Sequence, residues 1–454
     1  MTSDKKTLRE GLVTALLGTA LVLVIMNTMM FNLALPDVSR DFSLSASSVS
    51  WIVTAYSIVF AISSITYSRL SDFVPIRRLF LIGLATVGGS SIAGFFTNDF
   101  VPLLIVRILQ ASGAGAIPAL SLVLFSRYVP LERRGKAMAT IMSAASLGLG
   151  LGPIVGGAVV QYLGWPYLFV VTALTLLLLP SFAILVPKEQ PARGSFDAWG
   201  ALFAGIGTTG LLLFLTSGLW IALAAGVAAL ILFIVRIRSV SDPFVQPALF
   251  RNRSFLTLGA VGIVAYLCSF ATLFLMPQIL VGTYGLSAGA AGLIIFPGSL
   301  LAMLVSRKAG AVIDKNGNDS IIRYAPLLIL ASVVLFALLG GVSPFSILLI
   351  YMLLSVGFTF LSSSISNEMS RILPPAQIGS GMGLFQLLQF FSGAFGVAAT
   401  ASALEWQQGL PQSAAYANIF WGLAVIVFFS IGCSILYRRL SAHKAIQTAS
   451  ELKQ

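Results

Sequence analysis

Two stretches decide the fold: Ser68-Arg69-Leu70-Ser71-Asp72-Phe73-Val74-Pro75-Ile76-Arg77-Arg78 and Gly310-Ala311-Val312-Ile313-Asp314-Lys315-Asn316-Gly317. Each stands just past a long apolar segment and just before another. Each fits a small-x-x-x-Asp pattern followed by basic charge. The aspartates lie 242 residues apart in a chain of 454, so the chain reads as two related halves.

Working outward, 57% of the residues are hydrophobic and only 9% are charged, far less charge than a soluble domain needs. Long apolar stretches alternate with short polar links and leave no room for a separate soluble domain. A helix crossing the bilayer core takes about 20 apolar residues. Stretches of that size fall at 12–35, 49–67, 79–97, 101–126, 137–160, 166–186, 198–216, 218–236, 255–281, 287–313, 322–341, 345–367, 378–404 and 414–436, fourteen in all. The first exceeds a signal-peptide core and is read as a retained helix.

The net charge of +12 is spread over the links between spans instead of forming one patch, so it reports topology and not nucleic-acid binding. Lys5, Lys6 and Arg9 precede span one, and the even-numbered spans are followed by Arg77 and Arg78, by Arg133, Arg134 and Lys136, by Lys188 and Arg193, by Arg251 and Arg253, and by Lys315. The other face carries only Arg40. Both termini are therefore expected in the cytoplasm, with the chain in the cytoplasmic membrane. Cys268 and Cys433 sit in apolar segments without a C-x-x-C pair, and the only histidine, His443, lies in the tail. No metal, cofactor or disulfide is expected. Without a nucleophile–base pair, a metal cluster or a phosphate loop, an enzyme is not expected either.

If the two Asp phrases are equivalent, the second half starts at span nine. The expected organisation is a six-helix bundle over 1–190, an inserted two-helix hairpin over 191–240, and a second six-helix bundle with a tail over 241–454, an all-α membrane protein. Such internal repeats are the construction of secondary transporters. A second echo supports the pairing: Arg134-Gly135-Lys136-Ala137-Met138 opens span five and Ile378-Gly379-Ser380-Gly381-Met382 opens span thirteen. Pro118, Pro277 and Pro297 fall inside spans and mark expected bends.

Asp72 with Arg77 and Arg78, and Asp314 with Lys315, are candidates for a conformational switch, because such a charge can lock one arrangement of the halves through donors on a neighbouring helix. An interfacial charge would explain one copy; the repeat favours the switch. Arg107 is the one strong charge deep inside the first half, with Gln110 one turn on, and an ionisable group at that depth is a functional candidate. Asn27, Asn32, Gln278, Gln386 and Gln389 are further polar groups within apolar spans. They are candidates for a central cavity or for interhelical hydrogen bonds. Gly148, Gly152, Pro153, Gly156 and Gly157 leave one face of span five nearly bare, as a hinge or seal needs.

The phrase around Asp72, Arg107-x-x-Gln110, and Gly148-x-x-x-Gly152-Pro153-x-x-Gly156-Gly157 resemble the three signature motifs of the major facilitator superfamily. The third is similar to the motif of its antiporters, and fourteen spans resemble its larger drug:proton branch. The tetracycline and multidrug efflux pumps of Gram-positive bacteria look closest. The resemblance implies two six-helix bundles about a central cavity and export of a small amphipathic compound by alternating access. It also implies a proton as the coupling ion and action as a monomer in the bilayer. The chain departs from the pattern where Ser68 and Pro75 replace two glycines, whereas Gly310 and Gly317 keep them. Asn27 and Thr28 stand where relatives place acids, and no carboxylate lies deep within a span. Asp37 and Glu368, near span ends, are then the candidate proton sites. The missing acids also motivate two alternatives: a transporter of lipids or anionic metabolites without proton antiport, and a sensor-like relative that moves nothing.

Overall fold

The computed structural model describes residues 10–44, 46–189, 196–286, 288–374, 377–407 and 409–451. Among them are fourteen helices long and apolar enough to cross a membrane, and no strand. They are α1 (Glu10–Asp41), α2 (Ala46–Leu70), α3 (Ile76–Phe95), α4 (Phe100–Tyr128), α5 (Leu131–Tyr162), α6 (Tyr167–Leu185), α7 (Ala198–Ser217), α8 (Trp220–Ser239), α9 (Arg253–Thr283), α10 (Ala288–Asn316), α11 (Asp319–Leu339), α12 (Pro344–Ile372), α13 (Ile378–Trp406) and α14 (Gln412–Glu451). Helices are the form these sequences must take, because only a helix satisfies its own backbone within an apolar segment. α1, α5 and α14 outrun the apolar stretches read from the sequence, because a helix continues through polar residues once its apolar part is anchored.

α1–α6 and α9–α14 form two six-helix bundles, and α7–α8 form the hairpin between them. Side chains supply the caps: Asn252 accepts from the amides of Ser254 and Phe255, and Ser343 from that of Phe345. Gly218, at φ +65°, turns α7 into α8 in the left-handed region that suits glycine. The expected bend at Pro118 falls three residues earlier. There α4 breaks at Gly115, next to the Ala114 carbonyl that the proline ring leaves without its donor. Ser63 and Ser64 of α2 donate to the carbonyls of Ala111 and Gly115 across this break. Past Pro277, α9 widens into a π turn over Ile279–Thr283, whereas α10 runs on through Pro297.

Since lipid is as apolar as leucine, these helices associate through close packing and polar contacts. α5 lies at the centre, against α1 on one side and against α10 and α12 of the other bundle. α13 is its counterpart, packed on α9 and on α2. α7 rests on α2 and α13, one helix from each bundle.

Candidate functional site

At the end of the molecule that carries both Asp phrases, the bundles are in contact. Asp72 stands two residues beyond the last residue of α2. Its partners are Arg69 (2.8 Å) and Arg127 of α4 (2.9 Å), not Arg77 or Arg78. Arg77 and Arg78 stand in the first turn of α3, which starts at Ile76, and Arg127 is the donor from a neighbouring helix. Arg127 also donates to the carbonyl of Ser71 at 2.8 Å. Burial pushes the Asp72 carboxyl above its ordinary range; Arg69 and Arg127 oppose that shift, and the nearby Asp242 adds to it. Across the seam, Ser68 donates to the carbonyl of Gly379 at 2.7 Å. A Cβ on Gly379 would collide with the Asp72 carboxylate, so the first turn of α13 sits directly on it.

Asp314, in the last turn of α10, does the equivalent work with different chemistry. Its two oxygens accept the backbone amides of Gly135 (2.9 Å) and Lys136 (3.2 Å), one turn into α5. Lys315 is exposed and takes no part. Arg134 adds a bond from α5 to Ser370 of α12 at 3.1 Å.

Midway along the first bundle, Arg107 is fully buried. Its guanidinium lies between the rings of Phe31 and Tyr56, 3.9 and 4.1 Å from their centroids. It donates to Gln110 (2.7 Å), Asn27 (3.4 Å) and the carbonyl of Ile52 (3.5 Å). Asn27 also accepts from Thr172 at 2.9 Å and donates to the Tyr56 hydroxyl at 3.2 Å; Gln110 donates to Ser91 at 2.7 Å. Asn27, Arg107 and Gln110 are thus one network. Among the described residues every partner of Arg107 is neutral, and its Nη2 has none.

The second bundle answers with amides instead of charge. Gln386 and Gln389 are buried, with Oε1 of the first and both polar side-chain atoms of the second unpartnered. Gln389 lies between Phe385 and Gly393, whose contacts are Gly262 and Phe270, so this face of α13 looks onto α9. Between the two networks stands an aromatic chain: Tyr56 stacks on Phe60, Phe60 meets Phe390 edge-on at 4.8 Å, and Phe390 meets Tyr266.

The remaining candidates lie elsewhere. Gln278 donates back to the Phe274 carbonyl of its own helix. Asp37 is paired with Arg40 at 3.3 Å. Glu368 is held by Asn318 (2.5 Å), the Tyr437 hydroxyl (2.7 Å) and Arg371 (3.4 Å), a clasp joining α11, α12 and α14. The side chain of Asn32 lies outside the described residues. Gly148, Gly152 and Gly156 face α1, where added Cβ atoms would strike Val22, Met29 and Met30; Gly150 faces Ser299 of α10. Gly157 is half-buried, and α5 continues unbroken through Pro153.

Sequence reading missed Arg69, Arg127, Gly135, Gly379, Tyr56 and Thr172. Arg69 sits three residues before Asp72, a helical pairing distance that could have been noticed. The others become neighbours only when helices far apart in sequence pack together.

Three comparisons bear on this geometry. The chain is 27% identical over 424 residues to the riboflavin transporter RibZ of Clostridioides difficile (strain 630), covering 90% of this chain and 93% of the relative. It is 27% identical over 465 residues to the cephamycin export protein CmcT of Amycolatopsis lactamdurans, covering 94% and 92%. The fold superposes with a TM-score of 0.68 on the crystal structure of the human organic anion transporter MFSD10 (TETRAN), at 19% identity and over 93% of this chain and 99% of that one. Residues 17–397 match the Major Facilitator Superfamily. The crossing helices, the paired Asp contacts and this match together assign the chain to the Major Facilitator Superfamily, whose members are transporters and not enzymes.

Proposed function

We propose that this transporter exports a small amphipathic organic compound, neutral or anionic, across the cytoplasmic membrane by alternating access. Its division at about residues 190 and 240 and its basic end in the cytoplasm belong to the same proposal. One observation carries the choice of substrate: Arg107 is buried at membrane depth, and its partners among the described residues are all neutral. A buried cation held only by neutral acceptors and ring faces keeps its net charge, so the interior favours a group of negative or partly negative charge and disfavours a second cation. Gln386 and Gln389 of the second bundle add buried amides with atoms that lack a hydrogen-bond partner among the described residues. Riboflavin and cephamycin, the compounds that name two relatives, are the first candidates.

Proton exchange is the coupling proposed. Asp37 and Glu368, each in an ion pair near the end of a helix, are the proposed proton sites.

The test is initial uptake of riboflavin, a cephamycin and the cation ethidium into inverted vesicles, with and without an acid-inside gradient. Riboflavin or the cephamycin should accumulate faster than in vesicles lacking the protein, and the gradient should accelerate it. Uptake of ethidium alone would overturn the substrate reading, and rates indifferent to the gradient would remove the proton from the proposal.

A further inference from the structure

The α7–α8 hairpin is an insertion between the bundles, and nothing above gives it a task. Its base is one rigid unit. The Asp197 side chain is 1% exposed. It accepts the Gly200 amide at the start of α7 (3.0 Å), Nε of Arg236 near the end of α8 (3.1 Å), and the Phe244 amide of the exit segment (3.3 Å). Phe196 and Phe244 meet edge-on beside it.

Two residues before Phe244, Asp242 accepts Nη2 of Arg69 at 2.5 Å. Arg69 is 2% exposed and covered by the Phe73 ring at 4.7 Å. Its other fork nitrogen holds Asp72. A single guanidinium therefore joins the base of the hairpin to the carboxylate on which α13 rests, and a planar fork suits two such contacts at once. α7 itself lies on α2 and α13, across the seam that Ser68 and Gly379 close.

We infer that the hairpin is a working part of the gate, and that Arg69 and Asp242 are positioning residues that couple it to Asp72. Arg69 belongs to the first bundle, whereas Asp242 lies on the segment leading into the second. Their ion pair spans the seam and favours the closed arrangement seen here. A contact present in one state and absent in the other shifts the balance by its full difference.

The experiment uses the full chain in detergent micelles with Cys268→Ala, Cys433→Ala and a reporter Ser370→Cys, which lies buried against Arg134 at the seam. The readout is the rate of modification by a hydrophilic thiol reagent. Asp242→Asn should raise that rate about fivefold or more, and Asp242→Glu should stay within about twofold of the reporter background. In an Arg69→Gln background, the effect of Asp242→Asn should be clearly smaller, since their mutual pair is already broken. Equal rates in the reporter background and Asp242→Asn would overturn the inference. So would a glutamate variant as reactive as the asparagine one, or an undiminished effect of Asp242→Asn beside Arg69→Gln. If Arg69→Gln does not fold, the asparagine and glutamate variants still decide, because Asp242 is one-third exposed.

Discussion

Asp72 and Asp314 occupy equivalent positions in a repeated phrase, yet each closes the seam differently. Asp72 is fixed by two arginines of its own bundle and meets the other through van der Waals contact with Gly379. Asp314 reaches across and takes two backbone amides of α5. The small residues explain the difference. Gly310 lets the backbone of Lys136 come so close that a Cβ would overlap it, which brings Asp314 within reach of the amides. In the first copy Ser68 holds that place, and the close approach is supplied by Gly379 and Gly383 of the facing helix. After the second aspartate, Gly317 turns the chain at φ +75°. Its counterpart Pro75 is confined to φ −53°, so the first link takes another path. Motif equivalence fixes where a contact is made, and the neighbouring side chains fix what kind of contact it is.

The comparison breaks first at the glycines. Gly310→Val should abolish transport with membrane expression near normal, because the collision is with backbone that cannot rotate away. Vesicle uptake beside an immunoblot is the measurement, and wild-type uptake would show that α5 and α10 do not need this approach. Next comes Asp72→Asn. Removing one partner of a buried ion pair costs about 3–5 kcal/mol, and the share that differs between gate states should lower uptake about tenfold or more. Asp314→Asn should be milder, a loss of about two- to fivefold, because an amide oxygen still accepts one bond. An Asp314 effect as large as that of Asp72 would mean the two contacts are equal in energy despite their chemistry. Smallest is Arg78→Gln, expected within about twofold of wild type because exposed charges contribute little. A loss matching that of Asp72→Asn would return Arg78 to the switch.

Part of the interior was legible in advance. Arg107 and Gln110 lie three apart on one helix, and both were conspicuous as polar groups in apolar sequence; their bond follows from helical geometry. Asn27 was conspicuous for the same reason, but its tie to Thr172, 145 residues away, was not. Glu368 and Arg371 lie three apart on one helix and pair, whereas its nearer partners Asn318 and Tyr437 come from other parts of the chain.

The sequence alone determined the number of crossings, the repeat, the basic face and the polar positions at membrane depth. These depend on local composition and on the few residues of one helical turn, because each span must satisfy its own backbone. Tertiary structure decided which polar groups are partners, which glycine faces which helix, and that the hairpin base reaches the Asp72 cluster. Those outcomes depend on how helices separated by scores of residues pack, and in lipid that packing is selected by close fit and hydrogen bonding and not by hydrophobicity that every face shares.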